Sequence, residues 1–202
     1  MPKSSWNKGI PVSDTSDSPL DFSAFGTVVE DGKQVAGQPR LNDPIETLSS
    51  EELEFDGPFG DRDFDVYAEA VGQIESAGRY DSVGGYNGHY QGKYQFGRLA
   101  LKDVGIGFSV EAREAFRNDP ELQETAFHSF TLQNHKTLSR LSGKYRSLNS
   151  REQLGILALA HNAGAGGALS YLRTGEDTTD GFGTKGTKYV NAVAKAFKSR
   201  GA

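Results

Sequence analysis

From residue 64 onward, apolar positions recur with the period of a helix. Val66, Tyr67, Ala70, Val71 and Ile74 form one stripe. This predicts a helix that Asp63 or Asp65 can cap and that ends near Ser76-Ala77-Gly78. Glu75 then falls in the last turn, beside Ile74 and ahead of a glycine-rich loop. Residues 78–97 contain six glycines and four tyrosines, which rules out a regular helix. They predict a cleft wall or a short irregular hairpin; a tyrosine-rich packing loop is the plainer alternative. Leu99, Ala100, Leu101 and Val104 predict a short helix, and Asp119-Pro120 starts a longer one. The longer stripe runs through Leu122, Ala126, Phe127, Phe130, Leu138 and Leu141. Ser150-Arg151-Glu152-Gln153 matches a capping box with Gln153 at the third helical position. The nearly continuous apolar run from Leu154 to Ala160 then predicts a helix in the core. Glycines at 164, 166 and 167 are expected to stop it, with a short helix over 168–173 ending at Gly175 and a last one over 189–198. The fold class is therefore mainly α with a small irregular β or loop region.

The first 63 residues break this pattern. They hold five Lys/Arg against 13 Asp/Glu, a net of −8, whereas residues 64–202 hold 17 against 14, a net of +3. Six of the seven prolines lie in the first 58 residues. An acidic, Pro- and Ser-rich segment with few clustered apolar residues does not offset its own ordering entropy. Residues 1–63 thus read as an extended acidic arm or linker and 64–202 as the globular domain. Short apolar patches at Leu20-Asp21-Phe22, Phe25-Gly26-Thr27-Val28-Val29 and Ile45 either dock on a partner or belong to a disordered tail.

Composition narrows the chemistry. The chain has no cysteine, so disulfides and thiolate metal sites are excluded. Met1 to Ile10 is polar, and no signal peptide is expected; no segment approaches the roughly 20 apolar residues of a membrane span. No HExxH, nucleophile elbow, P-loop or dinucleotide fingerprint occurs, although His128 and His135 are two helical turns apart. No metal, cofactor or nucleic-acid partner is expected. A glutamate at the end of a buried helix, facing a cleft, suits general-acid cleavage of a glycosidic bond, because an apolar setting keeps a carboxyl protonated. A tyrosine-rich loop suits a sugar polymer, whose rings stack on aromatic faces. Asp81 is the attractive candidate for a second carboxylate; Asp103 is the next acid downstream.

Four segments, in order, resemble the lytic transglycosylase and goose-type lysozyme superfamily. They are Ile74-Glu75-Ser76-Ala77-Gly78, Gly92-Lys93-Tyr94-Gln95-Phe96-Gly97, Ala160-His161-Asn162-Ala163-Gly164, and Thr187-Lys188-Tyr189-Val190-Asn191-Ala192-Val193. The resemblance implies a lysozyme-like domain with Glu75 as acid and then base. It implies that Ser76 positions the glycan or the acid's surroundings. Gln95, with the backbone near Tyr94 and Phe96, would line the cleft floor; Asn162 would bond substrate near the cleavage point, with His161 as a further substrate-binding residue; Tyr189 would close the cleft. The chain departs from the family at His161, where Tyr is usual, and at Tyr94, where an aliphatic residue is common. The long gap from Gln95 to Asn162 implies an inserted helix.

The implied activity is cleavage of the β-1,4 bond between N-acetylmuramic acid and N-acetylglucosamine in peptidoglycan, leaving a 1,6-anhydro end. A muramidase-type hydrolase on the same bond is the alternative. Residues 79–135 and 180–189 also resemble enzymes carried in bacteriophage particles. That implies a virion tail or baseplate location, with residues 1–63 docking on tail proteins. Two further readings stand beside it: a catalytically inactive structural tail protein, and a wall-binding module that grips glycan without cutting.

Overall fold

A computed structural model describes residues 58–200. The expectations for the arm and its apolar patches lie outside them, apart from its last residues. Helix α1 (Asp61–Ser76) buries Phe64, Val66, Tyr67, Ala68, Ala70 and Val71, the stripe the helical period requires. Neither Asp63 nor Asp65 caps it: Gly60 is the N-cap residue, without a side-chain hydrogen bond, and Asp61 and Asp63 sit in the first turn. Helix α1 therefore begins before the expected boundary between residues 63 and 64, and Phe59 ahead of it is buried. The helix ends where Ala77 turns left-handed at φ 56° and Gly78 N–H reaches back to Gly72 O at 3.0 Å.

The glycine- and tyrosine-rich loop is an irregular hairpin. Strands β1 (Val83–Gly84) and β2 (Tyr90–Gln91) pair antiparallel around a 3-10 turn over Tyr86–Gly88, with Val83 opposite Gln91. Helix α2 (Arg98–Asp103) follows. Helix α3 (Val110–Asn118) lies outside the expected elements: it is short and mostly polar and buries only Phe116, and the Ser109 side chain starts it by accepting from Ala112 N–H. Helix α4 (Pro120–Leu141) starts as expected, with Asp119 accepting from Leu122 N–H. The four-residue α5 (Gly143–Arg146) was also not anticipated.

Helix α6 (Ser150–Thr174) is the centre of the domain. Its capping box is built by Asn149 and Glu152, one residue earlier than the expected Ser150 and Gln153; Gln153 instead donates to Tyr145 O. The run Leu154–Ala160 is buried throughout, and α6 packs against α1, α4, α5 and α7. The glycines kink α6 rather than end it. Gly164 takes φ 70° and ψ 167°, a conformation open essentially to glycine alone, and the helix then resumes as far as Gly175. Helix α7 (Gly186–Arg200) starts earlier than expected because Asp177 accepts from Thr187 N–H. A Cβ at Gly186 would sit 2.8 Å from Leu159 Cγ, so glycine lets α7 begin directly against α6. The domain is mainly α with one two-stranded sheet. No helix among the described residues is long and apolar enough to cross a membrane.

Candidate active site

A groove of about 540 Å³ opens between the end of α1, the hairpin, α2 and the start of α7. Glu75 lines it with its side chain 16% exposed. Its Oε1 accepts a hydrogen bond from the Tyr189 hydroxyl at 2.9 Å, across 114 residues of sequence. The same oxygen lies 3.5 Å from His161 Nε2. Burial pushes the Glu75 carboxyl above the ordinary value. His161, the Tyr189 hydrogen bond and Lys188 pull it down, nearby Asp180 adds to the rise, and the rise wins. Burial, and then the charge and hydrogen bond of Glu75, push the Tyr189 hydroxyl well above the tyrosine range, so it stays a donor.

The groove also gathers Gln95, Phe96, His161 and Asn162 from the residues the sequence singled out. Gln95 is held at φ 49°, and its amide donates to Gly92 O. Asn162 donates to Asp180 Oδ2 at 3.1 Å, while its own Oδ1 is buried without a partner. That oxygen is closed off from the groove, and it is the residue as a whole that lines it.

Three expected site residues lie elsewhere. Ser76 is buried; it donates to Lys93 O at 2.8 Å and accepts from Arg79 N–H at 2.9 Å. These contacts tie the end of α1 to the hairpin behind Glu75, and Ser76 does not line the groove. Tyr94 is fully buried, stacked on Phe127 with centroids 3.8 Å apart, and its hydroxyl donates to Glu124. Only its carbonyl, bonded by His161, is near the groove. Asp81 is exposed and does not line the groove.

The second carboxylate in the groove is Asp180, from the loop before α7. Its Oδ1 accepts from Phe182 N–H at 2.9 Å and from Thr184 N–H at 2.7 Å. Desolvation pushes Asp180 up, but these backbone bonds and Asn162 outweigh it and hold the carboxylate below its ordinary value. One groove thus pairs a carboxyl raised by burial with a carboxylate kept ionised by donors, the division of labour an acid and an anion need. The sequence signal for Asp180 was an Asx turn, an aspartate whose side chain bonds the backbone two residues on. That signal marks a loop, not a site.

The groove is fixed from behind by α4. Gln123 accepts from Lys93 N–H and donates to Tyr80 O and Phe116 O. Gly92, at φ 76°, is required there, since a Cβ would overlap Gln123 Oε1. Glu124 binds the Tyr80 hydroxyl, Lys93 Nζ and the Tyr94 hydroxyl at 2.6–2.7 Å. Neither residue stood out in the sequence. Among the described residues, no group of three or more His, Asp or Glu side chains is placed to hold a metal ion. Comparisons with protein-family models, with curated proteins and with solved structures return no match.

Proposed function

We propose that this domain is a glycan-cleaving enzyme that works by general-acid catalysis from Glu75. More particularly, we propose a peptidoglycan lytic transglycosylase acting on the β-1,4 bond between N-acetylmuramic acid and N-acetylglucosamine. The observation that carries the reading is a sheltered carboxyl at an open groove, held by a tyrosine hydroxyl 2.9 Å away.

Glu75 donates its proton to the bridging oxygen, and the bond from that oxygen to C1 of the muramic acid breaks. The acetamido oxygen of the same sugar stabilises the positive charge that develops at C1. Tyr189 holds the carboxylate left on Glu75, which then takes the proton of the 6-hydroxyl as that oxygen closes on C1. The proton lost at the start is regained and no water enters. One protein carboxyl suffices, because the nucleophile belongs to the substrate. Asn162 lines the same groove, and the resemblance gives it a hydrogen bond to substrate next to the broken bond.

Asp180 favours a second reading. An ionised carboxylate in the same groove can activate water, which would make the enzyme a muramidase-type hydrolase. Both Asp180 oxygens are already engaged by donors from Phe182, Thr184 and Asn162, which favours a structural role and keeps the transglycosylase reading first. The proposed location follows the resemblance of residues 79–135 and 180–189: a virion tail or baseplate, with residues 1–63 docking on its proteins.

Mass spectrometry of digested sacculi tests both readings. Anhydro ends from the full chain mark a transglycosylase, and reducing ends a hydrolase. Glu75→Gln should release neither; undiminished release by that variant overturns the role of Glu75.

A further inference from the structure

We propose that His161 is a positioning residue whose Nε2–H holds the Glu75 carboxylate once its proton has left, and that the imidazole does not touch the sugar. The proposal rests on the glycan-cleaving reading above and gives His161 a task toward the acid.

The hydrogen-bond arrangement fixes which nitrogen acts. Nε2 lies 2.9 Å from Tyr94 O and 3.5 Å from Glu75 Oε1. A carbonyl oxygen only accepts, and Oε1 already accepts from Tyr189. Nε2 must therefore carry the hydrogen, and in the neutral ring Nδ1 is bare. Nδ1 is buried with no partner. The edges and faces of Phe96, Phe127 and Phe130 surround the ring, with centroids 5.5–5.9 Å away. The side chain is only 6% exposed. Phenylalanine would fill such an apolar box without orphaning a buried nitrogen, which is unfavourable. What the imidazole adds is one N–H, and that N–H lies between a backbone carbonyl and the candidate acid.

The two distances say when it acts. At 2.9 Å the N–H rests on Tyr94 O; at 3.5 Å it makes no proper bond to Glu75. When Glu75 gives its proton to the bridging oxygen, Oε1 gains full negative charge and competes for the same N–H, since a charged acceptor makes the stronger bond. Closing the distance to Glu75 from 3.5 Å to the 2.9 Å now made with Tyr94 O changes partners. The donor thus strengthens as the bond breaks, which is the kind of contact that raises kcat rather than substrate affinity.

The test uses the full chain on solubilised glycan strands. His161→Phe should lower kcat about 10- to 100-fold, with KM within about twofold of wild type. His161→Gln, whose amide reaches the same two oxygens, should recover most of the loss. A raised KM with kcat kept, or a fall in thermal stability with kcat per folded molecule unchanged, overturns the proposal. A second measurement does not depend on turnover. The Nε2–H proton resonance should move downfield as Glu75 ionises, and should stay fixed in Glu75→Gln. A resonance that is constant in the wild type also overturns it. If the resonance moves but the wild type cuts no glycan, the His161–Glu75 coupling stands and the glycan-cleaving reading falls.

Discussion

Replacing Glu75 by glutamine should make the domain more stable and sharply lower the proposed glycan cleavage, for one physical reason. The carboxyl lies largely out of water, and burial holds its pKa above the ordinary 4.5. Folding thus favours the protonated form. The stabilisation is fully present below the unfolded value near 4.5 and is lost as pH rises through the raised folded value. Across that window each pH unit removes at most about 1.4 kcal/mol. In a domain of this size 1 kcal/mol corresponds to roughly 2–4 °C of Tm. Glutamine keeps the shape and an acceptor for Tyr189 but never ionises. The Tm of Glu75→Gln minus that of wild type should therefore be small at pH 4 and larger by several degrees at pH 7. His161 and Lys188 reduce the cost without cancelling it, and Asp180 adds to it. The same variant should lose about 10²- to 10⁴-fold in glycan release, the range a general acid supplies. Thermal unfolding at the two pH values and release of soluble fragments from sacculi measure both. An equal Tm difference at pH 4 and pH 7 would refute the burial argument.

Tyr189→Phe removes the donor to Glu75 Oε1, a bond that favours the ionised acid, so the Glu75 pKa should climb further. The basic limb of kcat/KM should move to higher pH and kcat should fall about tenfold; an unmoved limb counts against the contact. Asp180 is held below its ordinary value, so its ionised form adds stability above about pH 3.8 that disappears on acidification. Asp180→Asn should lower Tm more at pH 7 than at pH 3 while leaving anhydro ends as the product; complete loss of cleavage would promote the hydrolase reading. Gly164→Ala meets no atom within 4 Å, yet its backbone conformation should cost about 1–3 kcal/mol. A wild-type Tm in that variant would show the kink relaxing freely.

The elements legible in the sequence are those set by local physics. The stripe of α1, the Asp119 cap of α4 and the apolar run Leu154–Ala160 each lie within a few turns of chain, where period and capping act. Glu75 was legible for the same reason, as a polar residue closing an apolar helix before glycines. Where neighbouring residues could both serve, local chemistry did not choose: Asn149 rather than Ser150 caps α6. The kink at Gly164 depends on backbone angles that a run of glycines permits but does not dictate.

Tertiary structure decided everything that depends on which distant surfaces meet. Asp81 is close to Glu75 in sequence and outside the groove; Asp180 is far away and inside it, because the packing of α6 and α7 carries its loop there. Tyr94 and Ser76 lie in segments that the sequence singled out, yet their side chains turn to Glu124 and Lys93. The Glu75 carboxyl is set apart from an ordinary one by lost hydration, and water is excluded by atoms from several helices at once. A pattern of residues can nominate an acid, but only the assembled neighbours determine how tightly it keeps its proton.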